Sequence, residues 1–132
     1  EKISEINEHR MKLWNRYYNA FASLETMGEG VSRPTCPAEC EHNAHMFYLL
    51  CPDLDSRTRF ISYMKENGIM CVFHYIPLHS SPAGREFGRT VGDMKVTDRV
   101  GDTLVRLPLF YGLDEKTQDY VIEKVLEFWS KE

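Results

Sequence analysis

Long apolar stretches are missing from this sequence. No run approaches the roughly 18–20 consecutive apolar residues that a membrane-spanning helix requires, and no internal repeat or low-complexity segment is present. Blocks of basic residues are missing too. With 16 Lys and Arg against 20 Asp and Glu, the net charge is −4. The chain therefore lacks the cationic footprint needed to bind phosphate backbones, and nucleic acid is not an expected partner. The opening residues carry no basic-then-apolar leader pattern, which points away from secretion. No phosphate-cradling glycine loop, zinc-protease helix motif or nucleophile elbow occurs. Cysteine is scarce: Cys36, Cys40, Cys51 and Cys71 are the whole set. Cys51 and Cys71 fall inside apolar strand-like runs, where a free thiol packs as a small hydrophobe. The expectation is a reducing, cytoplasmic setting.

What is present suits one α+β domain. The 132 residues are 42% hydrophobic, enough for a single core. Ile3, Ile6, Leu13, Trp14, Tyr17, Tyr18, Phe21 and Leu24 recur at gaps of three and four. That spacing predicts a helix to Met27 with Gly28 and Gly30 ending it. Residues 1–28 would then form a connecting helix about 40 Å long, able to run across a second domain. Glu1 opens inside this pattern with no capping residue ahead of it, as expected of a piece excised from a longer protein. Residues 29–132 hold the rest of the α+β domain.

Residues 31–43, with two prolines and two cysteines, read as loop. His45–Cys51 reads as a strand bounded by Pro52. Asp55 is the expected N-cap of a helix whose inner face is Phe60, Ile61 and Met64 and which Gly68 closes. Ile69–Tyr75 predicts a second strand. Residues 77–97 form a long excursion, of the kind that is often functional. A short helix to Thr103 follows, capped by Thr97 or Asp98, then a strand over Val105–Leu109. The last helix starts at Asp114 and buries Val121, Ile122, Val125, Leu126 and Trp129. The order predicts helices covering a small, mostly antiparallel sheet.

Three groups of residues carry candidate chemistry. Cys36, Cys40, His42 and His45 are four potential zinc ligands within ten residues, but zinc fingers separate their two ligand pairs by a dozen or more. Ordinary thiols on a solvent-facing loop are the favoured reading, and no metal is assigned. The second group is Phe73-His74-Tyr75-Ile76-Pro77-Leu78-His79. Strand alternation would put His74 and Ile76 on one face and Phe73 and Tyr75 on the other. Pro77 ends the ladder and leaves His79 on the excursion, where imidazole and phenol suit sugar hydroxyls and phosphate oxygens. The third is Arg106, in an otherwise apolar strand. A structural salt bridge is its favoured role, with a clamp on a carboxylate or phosphate as the other. Asp98 and Asp102 read as cap and surface residues.

The runs His42-Asn43-Ala44-His45-Met46-Phe47-Tyr48, then Cys71-Val72-Phe73-His74-Tyr75-Ile76-Pro77-Leu78-His79-Ser80-Ser81-Pro82-Ala83-Gly84, then Arg106-Leu107-Pro108-Leu109-Phe110 resemble the DegT/DnrJ/EryC1/StrS aminotransferase family. Within it they look most like the dTDP-4-amino-4,6-dideoxygalactose transaminases of WecE (RffA) type. The resemblance implies the C-terminal small domain of a fold-type I aminotransferase. The large domain, absent here, would hold pyridoxal phosphate on its lysine. None of Lys2, Lys12, Lys65, Lys95, Lys116, Lys124 or Lys131 stands in a setting like that lysine's. The implied partners are a nucleotide sugar and glutamate, in a homodimer. The implied reaction is amino transfer to the C4 ketone of dTDP-4-keto-6-deoxyglucose, with this piece inactive alone. His79, Tyr75, His74 and Arg106 are the expected substrate-binding residues. The rival readings are a free-standing ferredoxin-like ligand-binding module and a small zinc-binding interaction domain.

Overall fold

The structure, a computed structural model, describes residues 2–26 and 30–131. Helix α1 (Ile3–Ala20) runs into a 3-10 turn (Phe21–Glu25). Strand β1 (Phe47–Leu50), helix α2 (Leu54–Glu66) and the two-residue strand β2 (Val72–Phe73) follow. The excursion then holds a 3-10 turn (Leu78–Ser80), helix α3 (Pro82–Phe87) and helix α4 (Lys95–Thr103). Strand β3 (Leu104–Leu107) and helix α5 (Glu115–Trp129) complete the chain. The sheet order is β1-β3-β2, both pairs antiparallel, with Phe47 opposite Leu107 and Phe73 opposite Val105. An α+β domain with a three-stranded antiparallel sheet is what the sequence led us to expect.

Several expectations need correction. The first helix stops α-helical geometry at Ala20, so it spans about 27 Å rather than 40 Å. Its inner face is committed to this domain: Leu13, Trp14 and Tyr17 are buried in the core. Phe21 and Leu24 follow them inward from the tighter 3-10 turn. The proposed stop at Met27 and Gly28 lies outside the described residues. Asp53, not Asp55, caps α2, accepting from the Ser56 N–H at 2.8 Å, and Asp55 pairs with Arg59 on the outer face. The second strand is only Val72–Phe73, opposite Arg106 and Val105 of β3. His74 to Ile76 therefore have no ladder to impose face alternation.

The core is aromatic. Tyr17, Phe21 and Phe47 form one cluster with ring centroids 5.2–5.9 Å apart. Phe60, Phe128 and Trp129 form another, at 4.9–5.7 Å. Such pairs contribute about 0.5–1.5 kcal/mol each beyond their burial. β1 alternates, turning Phe47 and Leu49 inward. α5 begins at Asp114, which accepts from the Thr117 N–H at 2.9 Å. Buried Gln118 donates to the Leu13 carbonyl at 2.7 Å and so ties α5 to α1. Cys51 and Cys71 are buried, and that burial pushes both thiols up to about 12. No helix among the described residues is long and apolar enough to cross a membrane.

Candidate functional site

The residues beyond β2 turn outward. Tyr75 is 69% exposed and Leu78 82% exposed. His74, Tyr75, Ile76, Pro77 and Leu78 form one wall of a hollow of about 660 Å³, and Val96, Val100 and Leu104 form the opposite side. The walls approach closely because α4 carries Gly101 at the crossing. A Cβ there would lie 2.9 Å from the Pro77 ring. Arg57 of α2 locks the same crossing from below, donating to the Gly101 carbonyl at 2.8 Å while its guanidinium lies over Phe73 at 5.1 Å.

Of the four residues singled out, three lie together. The His74 and Tyr75 rings meet edge to face at 4.7 Å, and the Arg106 guanidinium is 6.0 Å from the Tyr75 ring. Arg106 forms no salt bridge among the described residues, contrary to the favoured reading. Its Nε is buried without a partner, and it stands opposite Val72 on the central strand β3. His74 Nδ1 is likewise buried and unpaired.

His79 lies apart from these three. Its Nε2 is 2.8 Å from Asp98 Oδ1, which leaves Nδ1 as the free ring nitrogen. Asp98 is thus the partner of His79 and not the cap of α4, which starts three residues earlier. Tyr75 and His79 are both accessible, so the observation that would have ruled out a site here, burial of both in the core, does not occur.

A third feature went unrecognised in the sequence. Ser81 caps α3, accepting from the Gly84 N–H at 3.0 Å, with Pro82 at the first helical position. A Ser-Pro pair is a helix-start signal, and it places Arg85 on the short helix, with Arg89 two residues past its end. With His79 and Phe87 they line a hollow of about 830 Å³ that borders the first. Cys36, Cys40, His42 and His45 all line a smaller hollow, of about 330 Å³, floored by Trp14 and Tyr48. No group of three metal-binding side chains converges among the described residues. His42 packs on Trp14 at 4.3 Å, with Nδ1 accepting from the Ala44 N–H.

Pyridoxal phosphate needs a lysine facing a cavity. No lysine lines any of these hollows. Lys124 and Lys131 are held by Glu127, and Lys95 pairs with Asp93 in solvent.

The model of the DegT/DnrJ/EryC1/StrS aminotransferase family matches residues 1–126. A pleiotropic regulatory protein of Geobacillus stearothermophilus is 30% identical over 94 residues, 70% of this chain and 25% of that protein. The aminotransferase TlmJ of Streptoalloteichus hindustanus superposes with a TM-score of 0.83 at 20% identity, over 98% of this chain and 33% of that one. A putative sugar aminotransferase of Streptococcus pneumoniae, in its PLP form, superposes with a TM-score of 0.79 at 23% identity, over 98% and 33%. The chain thus spans a quarter to a third of the length of these relatives.

Proposed function

The chain belongs to the DegT/DnrJ/EryC1/StrS aminotransferase family, and from that premise we propose that it is the C-terminal small domain of a pyridoxal-phosphate-dependent nucleotide-sugar aminotransferase. In this reading residues 1–132 close over a cofactor held by a large domain elsewhere in the polypeptide. Glutamate supplies the amino group, and the acceptor is the C4 ketone of dTDP-4-keto-6-deoxyglucose. The active unit is a cytoplasmic homodimer.

The observation that carries the proposal is the apolar hollow beside Tyr75. Tyr75, Ile76, Leu78 and Val96 are each more than 60% exposed around it. Leaving such side chains in water forgoes about 25 cal/mol per Å² of apolar surface. Patches of this kind mark surfaces that another body covers. A free-standing ferredoxin-like module would have to keep this face wet. Tyr75 on its wall and His79 in the bordering hollow supply a hydroxyl and an imidazole to a polar ligand held between the two bodies. Their role is to bind and to exclude water, which raises the rate by positioning. His74 packs behind Tyr75, and Arg106 lies within reach of an anionic group.

The test uses a full-length polypeptide carrying this domain. Tyr75→Phe and His79→Ala are expected to raise KM for the nucleotide sugar about tenfold, equivalent to about 1.4 kcal/mol of lost binding, with the bound cofactor's absorbance unchanged. The 132-residue chain alone should give no stoichiometric borohydride-trapped pyridoxal adduct. Such an adduct on one lysine of this chain would sink the proposal, as would variants with unaltered KM and kcat.

A further inference from the structure

Two of the four cysteines face water, and they stand together. Cys36 and Cys40 are exposed, whereas Cys51 and Cys71 are buried in the core. A turn joins the exposed pair: the Cys40 N–H donates to the Pro37 carbonyl at 2.9 Å. The turn folds the Cys36 thiol back onto residue 40, where it donates to the Cys40 carbonyl at 3.4 Å. Both residues line the hollow of about 330 Å³ beside Trp14. Two thiols and two imidazoles line that hollow, yet no three of them converge among the described residues. A tetrahedral metal ion is therefore not what the segment is arranged for. What the turn does bring together is one thiol and the main chain of the other cysteine. Exposed side chains change rotamer within nanoseconds, so the two sulfur atoms are free to meet. The loop they would close holds only Pro37, Ala38 and Glu39. Cross-linking gains least where the closed loop is short. Exposed disulfides also have the more oxidising potentials of labile, regulatory pairs. A bond here would form and break without bracing the fold.

We propose that Cys36 and Cys40 form a reversible dithiol–disulfide pair, a modification site whose co-reactant is a low-molecular-weight disulfide such as oxidised glutathione. One cysteine thiolate attacks a glutathione sulfur, breaks the glutathione S–S bond and releases the first glutathione, leaving a mixed disulfide. The second cysteine, as thiolate, attacks the protein sulfur of that mixed disulfide. The Cys36–Cys40 bond forms and the second glutathione departs. Two electrons pass from the protein sulfurs to glutathione, and the two thiol protons end on the departing glutathiones. Excess reduced glutathione runs the same steps backwards. Cys51 and Cys71 take no part, because exchange needs both a thiolate and access to it. The hollow of the pair shares no lining residue with those beside Tyr75 and His79, and the inference stands independently of the aminotransferase reading.

The experiment incubates the reduced 132-residue chain with oxidised glutathione, quenches with acid, blocks the remaining thiols with N-ethylmaleimide in urea and maps the products by mass spectrometry. The expected product has Cys36 joined to Cys40, is lighter than the reduced chain by two hydrogen atoms before blocking, and carries maleimide on Cys51 and Cys71 alone. Excess reduced glutathione should return it to the dithiol. Cys36→Ser and Cys40→Ser should each accumulate the mixed disulfide about tenfold or more above the parent, because they lack the resolving thiol that acts at high effective concentration. Both substitutions are on the surface, so reduced parent and variants should share one urea midpoint. A parent that stays reduced, or that ends with glutathione on both Cys36 and Cys40, would overturn the proposal. So would a bond between two chains, a pairing that includes Cys51 or Cys71, or a Cys36–Cys40 bond that reduced glutathione fails to open.

Discussion

Gly84→Ala should dismantle the candidate site while leaving the core intact. A Cβ at position 84 would lie 1.6 Å from the Leu78 carbonyl oxygen and 2.9 Å from Ser81 Oγ. The near atom is main chain, so no side-chain rotation relieves the overlap. Leu78 and α3 must separate. The Leu78 carbonyl accepts from Ser81 Oγ at 2.8 Å and from the Ser81 N–H at 3.2 Å. Ser81 Oγ in turn accepts from the Gly84 N–H. Losing two such bonds costs about 1–3 kcal/mol, and loss of the cap contributes about 1 more. Neither the 3-10 turn at Leu78–Ser80 nor α3 buries any residue. The excursion can therefore yield locally, and the penalty to global unfolding is capped by its own modest stability. Hydrogen exchange separates the two levels. Amides of Arg85 and Gly88, bonded to Ser81 and Gly84 carbonyls, should exchange about 100-fold faster, the equivalent of about 2.7 kcal/mol. Core amides and the urea midpoint should barely change. Unaltered exchange at Arg85 and Gly88 would refute the reasoning, and so would collapse of the whole domain.

The remaining predictions concern titration and thiol access. Glu127 is held well below its usual range, at about 2, by hydrogen bonds from Lys124 and Lys131 and by Tyr63. Because its folded value is depressed, its contribution is complete above the ordinary value of 4.5 and disappears as pH falls toward about 2. Urea midpoints of the parent should exceed those of Glu127→Gln at neutral pH and converge with them near pH 2; a gap that persists in acid would contradict this. Cys36 and Cys40 are exposed whereas Cys51 and Cys71 are buried, so an aromatic disulfide reagent should titrate two thiols rapidly in the native chain and four in urea. Fast native modification of Cys51 or Cys71 would show that the core around β1 and β2 opens more readily than its packing implies.

The helices were the most legible part of the sequence, since each states its own period. α5 shows an Asp114 cap and an apolar stripe, and both hold, with Phe128 joining the stripe and Ile122 and Leu126 only partly covered. At α2 two aspartates stand two residues apart. Local chemistry suits either, and only the approach of the Ser56 N–H selects Asp53. β2 was overread because Ile69–Tyr75 has strand composition along its whole length. How much of it pairs depends on its partner β3, more than thirty residues away. The link between His79 and Asp98 was hidden for a similar reason. It exists because Gly101 lets α4 pack against Pro77, and a missing side chain leaves no trace in an apolar pattern. Tyr75 and His79 were legible as exposed chemistry next to a strand end. Arg85 and Phe87 were passed over as loop because a six-residue helix is too short for periodicity to register.

Both neighbours of β3 precede it in the chain, and they are not hydrogen-bonded to each other. During synthesis, β1 therefore emerges with only the Ser32–Leu50 bridge, and β2 with no strand partner, until residues 104–107 have left the ribosome. Phe60 waits longer still, for its partners on α5. The nascent polypeptide must carry these unsatisfied edges and rings until those later residues emerge. A premature stop codon anywhere before residue 104 would yield a product with no sheet at all, and one before Phe128 would yield a sheet lacking part of its aromatic cover.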